Sequence, residues 1–153
     1  DCYNRPNLIK KEFDKFIQIL NYKNIHQKKV FSRMHYLRWK SPETLIYLND
    51  SKINVDNSML FVDHAGFRCG TCHSYPGYDI LNNKILNIRV EPLILMDVTL
   101  FDYMKLNNKA ALNFALDLKN KCKMVEGNFS FLWHNSFLDT DHKKKFYKKL
   151  IEN

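Results

Sequence analysis

The chain has 153 residues, of which 45% are hydrophobic and 26% charged, and its formal net charge is +8. These values predict one domain over residues 1–153 with a buried core, and no apolar run approaches the roughly 20 residues that span a bilayer. Because the lysines are spread along the sequence, the charge predicts a solvated surface, and no nucleic-acid partner is expected. No amino-terminal stretch has the form of a signal peptide. Since the first residue is Asp1, we expect a processed or fragmentary chain.

Helices and strands alternate along the predicted chain. The first half is predicted as a helix from Pro6, a strand over 30–37, a helix from Ser41-Pro42 through Leu48, a strand over 59–62 and a loop over 63–78. The second half is predicted as a strand over 93–96, a helix opened by Asn108 and ended by Gly127, a strand over 128–134, and a helix capped by Asp139 or Thr140 that turns Phe146 and Leu150 inward. This alternation indicates an α/β fold with a mainly parallel sheet and flanking helices.

Three short segments rich in polar side chains lie at the ends of predicted strands, over 33–38, 63–68 and 134–136. In parallel α/β folds, functional residues gather at the carboxyl ends of the strands. We therefore expect the three segments to meet at one edge of the sheet.

Arg33 and His35 share one face of the predicted strand over 30–37, because side chains alternate along a strand. Arginine holds a carboxylate with two parallel hydrogen bonds, which lysine cannot do, and only five arginines occur in this lysine-rich chain. A functional guanidinium and a structural ion pair both fit this pattern.

His134 follows Trp133 at the end of the predicted strand over 128–134. Histidine is the residue type best suited to proton transfer near neutral pH, and a hydrogen bond to a backbone carbonyl is its alternative role. Asp63 has the position to orient such a histidine or to form a turn. Asp97 ends the strand over 93–96 and is either a further site carboxylate or the start of a turn.

The sequence Cys69-Gly70-Thr71-Cys72-His73 has the spacing of a covalent haem attachment motif. A zinc site with Cys69, Cys72 and either His64 or His73 is a second interpretation, although structural zinc needs four ligands. An inert structural pair is the third. Four cysteines are too few for a disulfide scaffold at this length, which is compatible with a reducing compartment such as the cytoplasm.

Four segments, in this order along the chain, resemble the carboxyl-terminal part of bacterial polysaccharide deacetylases, the NodB-homology group or carbohydrate esterase family 4. The segments are RMHYLRW at 33–39, DNSMLFVDHAGFRCGTC at 56–72, EPLILMD at 91–97 and LWHNS at 132–136. The resemblance runs from about Asn4 to the end of the chain, and its most specific piece is GFRCGT.

The resemblance implies a distorted (β/α) barrel, of which this chain would supply a partial barrel corresponding to the carboxyl-terminal half. It also implies hydrolysis of N-acetyl or O-acetyl groups on an acetylated carbohydrate. In that role His134 would protonate the leaving amine, Arg33 would brace the catalytic carboxylate and Asp63 would tune His134. The sugar would be bound by His35, Arg38, Arg68 and Trp133.

The chain departs from the family pattern in its metal ligands. The base Asp, the metal Asp and the two metal His of the family belong to segments before the helix that opens here. A divalent metal such as zinc is therefore expected for the complete enzyme, and no residue of this chain is assigned to it. A second copy or an upstream fragment is expected to cover the open half barrel. The alternatives are a non-catalytic module that binds a sugar or a partner, and a haem carrier through Cys69, Cys72 and His73.

Overall fold

The computed structural model describes residues 2–152, which form two compact units. Unit 1 consists of residues 2–59 and 74–91, and unit 2 consists of residues 60–73 and 92–152. The backbone passes from one unit to the other three times, so neither unit is a continuous piece of sequence. The single domain expected from length and composition stays a prediction.

Unit 1 is a four-stranded sheet with two helices. Its elements are α1 (Pro6–Tyr22), β1 (Phe31–Ser32), α2 (Glu43–Asp50), β2 (Val55–Asp56), β3 (Tyr75–Asp79) and β4 (Lys84–Val90). The strands lie in the order β1-β2-β4-β3, with the first two pairings parallel and the β3–β4 pairing antiparallel.

The core of unit 1 follows from the alternation of β4. Leu86, Ile88 and Val90 are buried on one side of this strand, while the residues between them are exposed, as a strand with one solvated face requires. Ile9 of α1 and Leu48 of α2 belong to the same apolar cluster.

Unit 2 is a two-stranded parallel sheet with two long helices. Its elements are β5 (Leu95–Met96), a π-helical turn (Thr99–Tyr103), α3 (Asn108–Met124), β6 (Phe131–Leu132), a 3₁₀ turn (Asn135–Leu138) and α4 (Asp141–Glu152). β5 and β6 pair with Leu95 opposite Phe131 and Met96 opposite Leu132. Helix α3 contributes Ala111, Ala115, Leu118 and Cys122 to the core, and α4 contributes Phe146 and Leu150.

The predicted α/β class with a mostly parallel sheet and flanking helices is confirmed, because three of the four strand pairings are parallel. Within residues 2–152 the strands do not close into a barrel. No helix of the described part of the chain has the length and apolarity needed to cross a bilayer.

Helix ends agree with local sequence signals to within a residue or two. Helix α1 begins at Pro6, and Thr140 accepts a hydrogen bond from Lys143 N ahead of α4, both as predicted. The predicted cap of α3 is wrong by one residue, since Asn107 rather than Asn108 accepts from Ala110 N.

The predicted Ser41 cap of α2 is also wrong. The residue before α2 is Pro42, and no side chain caps it. Instead Thr44 Oγ1 accepts from Lys40 N at 2.9 Å. The side chain that stabilises the turn before α2 therefore comes from the second residue of the helix itself.

The predicted strand over 30–37 is reduced to Phe31–Ser32. Tyr36 and Leu37 have left-handed φ of 58° and 52°, and Leu37 N donates to Met34 O at 2.9 Å. This turn buries Met34 and Leu37 and ends the alternation that placed Arg33 and His35 on one strand face.

The predicted strand over 59–62 is absent, and the predicted loop over 63–78 is too long. The carbonyl of Leu60 accepts from Arg68 and that of Val62 accepts from Thr99 Oγ1, so these groups bond side chains instead of a neighbouring strand. The hairpin of β3 and β4 begins at Tyr75, inside the predicted loop.

Candidate functional site

The clearest polar site in unit 2 lies where β5 and β6 end. Asp97 directly follows β5, and His134 lies two residues beyond β6. Because the two strands are parallel and in register, their carboxyl ends meet at one edge, which is where α/β folds place their functional groups.

The Asp97 carboxylate is fully buried and accepts three hydrogen bonds. Its Oδ1 accepts from Val98 N at 2.7 Å and lies 2.7 Å from Nδ1 of His134. Its Oδ2 accepts from His134 N at 2.5 Å. Asp97 therefore fixes both the backbone and the ring of His134.

This arrangement leaves one side of the imidazole open. The His134 side chain is 44% exposed while that of Asp97 is 0% exposed. With Nδ1 turned to the carboxylate, the neutral ring carries its proton there and presents Nε2 as the acceptor, and the protonated ring presents Nε2–H as a donor. A carboxylate bonded to Nδ1 stabilises the imidazolium that forms when Nε2 takes up a proton.

The residue that holds the His134 ring is Asp97, a role that the resemblance gave to Asp63. The carboxylate on that ring belongs to Asp97, and Asp63 is exposed in the segment after Leu60. Its assignment as a catalytic residue stays a prediction.

Arg68 holds the loop of unit 2 that precedes Cys69. Its guanidinium donates to Leu60 O at 2.8 Å and lies 5.5 Å from the centre of the Phe61 ring. The charge thus restrains backbone that has no strand partner, and a sugar-binding role for Arg68 would have to use its remaining N–H groups.

Trp133 lies in the aromatic core of unit 2. Its ring stacks on Phe146 with 5.3 Å between centroids and meets Phe131 and Tyr147 at 6.4 and 5.7 Å. Its Nε1 is buried without a hydrogen-bond partner among the described residues. The Trp133 ring is therefore used in core packing next to His134, and its predicted contact with a sugar stays a prediction.

Unit 1 contains a second polar cluster, at the end of β2. Asp56 is fully buried and accepts from Ser58 Oγ at 2.6 Å and from Trp39 Nε1 at 3.2 Å. Burial raises the pKa of Asp56 to about 6, against the opposing hydrogen bonds and the charge of Arg33. Ser58 Oγ also accepts from Met34 N at 2.9 Å, so this cluster anchors the turn after β1.

Arg33 is bound to the same segment through Asn57. Its Nε donates to Asn57 O at 3.1 Å, and its Nη2 donates to Asn57 Oδ1. Asn57 Nδ2 in turn donates to Glu91 O at 2.7 Å. Partial burial lowers the pKa of Arg33, and nearby Asp56 opposes that change.

His35 and Arg38 follow Arg33 on the turn of unit 1. The centres of the His35 and Tyr36 rings are 4.2 Å apart. The guanidinium of Arg38 lies 5.9 Å from the centre of the Tyr36 ring. Both residues are exposed. The predicted convergence of Arg33, His35 and Arg38 of unit 1 with His134 of unit 2 stays a prediction.

The cysteines of the haem-like motif differ in exposure. Cys72 is 3% exposed, and its free thiol is hydrogen-bonded to the free, buried thiol of Cys122. Cys69 is partly buried, and His73 is exposed. Burial and the neighbouring Cys72 thiol raise the pKa of Cys122. Since haem attachment needs both motif thiols to reach the porphyrin, the burial of Cys72 disfavours that interpretation.

The divalent metal implied by the family resemblance has no fitting set of ligands in the described part of the chain. No three His, Cys, Asp or Glu side chains within residues 2–152 lie close enough together to hold a metal ion.

Searches against family models, curated proteins and solved structures find no match for this chain. The resemblance to polysaccharide deacetylases therefore stays a prediction drawn from the motifs themselves.

Sequence reasoning underrated two of the carboxylates that organise these clusters. Asp56 is the last residue of β2, and Asp97 directly follows β5. The lone charge after the apolar run over 93–96 is a signal for Asp97, which the sequence allows as a site carboxylate or as a turn, whereas no continuous apolar run precedes Asp56.

Proposed function

We propose that the chain is part of a carbohydrate deacetylase in which His134, held by Asp97, is the general acid. The contact between the buried carboxylate and the half-exposed imidazole is the observation that carries this proposal. It has the donor geometry that proton transfer needs, and it lies at strand ends, where the resemblance also expects the late histidine. The partial barrel belongs to the same proposal.

In the proposed step, a water molecule adds to the acetamide carbonyl and gives a proton to the base that the resemblance places in the preceding segments. Protonated His134 then gives its Nε2 proton to the sugar nitrogen as the carbon–nitrogen bond of this adduct breaks, and the products are a free amine and acetic acid, which ionises to acetate. The Asp97 carboxylate, bonded to Nδ1, stabilises the imidazolium until the proton is transferred. Arg68, which belongs to the same unit as His134, is proposed to bind the sugar.

The direct test is the replacement of His134 by Ala in the full-length protein. We expect kcat for acetate release from N-acetylated chitooligosaccharides to fall about 10²–10⁴-fold, the usual contribution of a general acid. The control is His73→Ala, which removes an exposed imidazole from the same unit. Unchanged turnover of the His134 variant would refute the assigned role.

Asp97→Asn tests the positioning role of the carboxylate. Three N–H groups converge on Asp97, so an amide NH₂ must face at least one of them. We expect kcat to fall with little change in KM, and unit 2 to lose about 1–3 kcal/mol of stability. Urea unfolding in a Trp39→Phe background, where Trp133 is the only tryptophan, measures that loss. A variant with normal kcat would show that His134 does not need Asp97.

A further inference from the structure

The most strongly charged cleft described lies between α3 and α4 of unit 2. Its volume is about 580 Å³. The charged and titratable residues that line it are Lys109, His142, Lys145, Lys148, Lys149 and Glu152. Four lysines face one glutamate, so the cleft has an excess of three positive charges.

Two of the four lysines have no acidic partner among the described residues. Glu152 lies 3.5 Å from Lys148, whose side chain is 70% exposed, and such a pair contributes little. Neither Lys109 nor Lys145 has a salt bridge within the described residues. Lys145 and Lys149 are also one helical turn apart, where like charges repel. A bound anion would relieve that repulsion.

The cleft adjoins the candidate general acid through the core. Phe146, which lines its floor, stacks on Trp133, the residue before His134. Helix α4 also begins shortly after His134, across the 3₁₀ turn Asn135–Leu138. The cleft and His134 are thus connected through the packed rings of Phe146 and Trp133 within the same unit.

We propose that the cleft binds an acidic polysaccharide, one whose sugars carry carboxylate groups. This inference rests on the proposed function and names its substrate class. The row from His142 to Lys149 extends about 10 Å along the helix axis, which suits several charges of a linear chain. Lysine ammonium groups are point charges that bind single carboxylates without fixed orientation.

Two other anionic partners fit the cleft less well. Single-stranded nucleic acid is bound through exposed aromatic rings and arginines, but Phe146 is only 5% exposed and the cleft contains no arginine among its described residues. An anionic membrane needs an apolar helix face to insert, and the apolar residues Phe146 and Leu150 of α4 are buried in the core.

The test is calorimetric titration of the chain with polygalacturonate oligosaccharides. We expect saturable binding at about 0.01 M salt that weakens roughly tenfold or more near 0.15 M, as the Debye length falls from about 30 to about 8 Å. The variant Lys145→Glu/Lys149→Glu should lose this binding. The matched control Lys11→Glu/Lys15→Glu makes the same change of charge at the same spacing on α1 and should retain it.

Three results would overturn the inference. They are no binding at low salt, equal loss in the α1 control, and equally tight binding of a single-stranded oligonucleotide, which would indicate simple cation exchange. Lys145→Ala/Lys149→Ala, with its circular dichroism spectrum, separates loss of charge from loss of fold. The binding needs no acetate release, so an inactive protein that still binds fails only the deacetylase proposal. A protein that releases acetate but does not bind fails only this inference.

Discussion

At the scale of single residues, two fully buried aspartates organise the polar clusters of the two units. Asp97 is bonded to two backbone N–H groups and to an imidazole that becomes cationic on protonation. Asp56 accepts from the Ser58 hydroxyl and the Trp39 indole. Because the desolvation cost of burial exceeds the effect of these hydrogen bonds and of the Arg33 charge, the pKa of Asp56 rises to about 6.

The raised pKa of Asp56 makes the stability of unit 1 depend on pH. Since the folded pKa is about 6 and the ordinary value is 3.8, the native state binds more protons between these values. Stability therefore falls as the pH rises from about 4 to about 6, by roughly 3 kcal/mol at most. Lowering the pH through this window should therefore raise the free energy of unfolding of unit 1. An aspartate whose pKa is lowered in the folded state has the opposite effect.

Asp56→Asn should remove this dependence, because the amide is neutral and its nitrogen can donate to Ser58 Oγ. We expect the variant to be more stable than the parent at about pH 8 and similar at about pH 4. Urea unfolding in a Trp133→Phe background reports on Trp39, which contacts this carboxyl. Equal stability differences at both pH values would show that Asp56 titrates normally.

At the scale of elements, the end of α3 is fitted closely to the loop over 60–73. Gly127 N donates to Cys122 O at 2.8 Å, and Asn128 N donates to Cys72 O at 3.1 Å. A Cβ at Gly127 would lie 2.2 Å from Cys72 Sγ. Gly127 is therefore required for space at this crossing.

Gly127→Ala should destabilise unit 2 by about 1–3 kcal/mol, the usual cost of overpacking. Adding Cys72→Ala removes the sulfur that clashes and should restore most of the loss relative to Cys72→Ala alone. Thermal unfolding of the four members of this double-mutant cycle measures the coupling. Additive effects would show that the two residues do not meet.

The elements also show where local patterns mislead. The residues over 84–90 alternate between buried and exposed as a strand does, and Asp79 Oδ1 closes the turn before them by accepting from Leu81 N and Asn82 N. These signals for a hairpin are present in the sequence. The apolar run over 59–62 looks equally like a strand, but its carbonyls bond Arg68 and Thr99.

At the scale of the whole molecule, each unit contains one of the two tryptophans, Trp39 in unit 1 and Trp133 in unit 2. If the chain is one domain, as its length predicts, the units should unfold together. Trp39→Phe weakens unit 1 and leaves its reporter in unit 2, and Trp133→Phe does the reverse. We expect each change to lower the urea midpoint read by the other tryptophan. A reporter that keeps its original midpoint would show two independent domains.

The sequence by itself determined the α/β class, the helix starts at Pro6 and after Thr140, and the burial of Phe146 and Leu150. These features depend on helical periodicity and on capping groups, which act between residues a few positions apart. It also singled out His134 as a residue suited to proton transfer.

Only the tertiary structure decided which carboxylate holds His134 and how Arg33 is used. Asp97 reaches the imidazole because β5 pairs with β6 across more than thirty residues of chain, and Arg33 is bound by Asn57 because a left-handed turn ends β1 early. Strand pairing and turns with positive φ are set by distant packing rather than by local propensity. The local sequence around Asp63 and Asp97 therefore does not determine which of the two contacts His134.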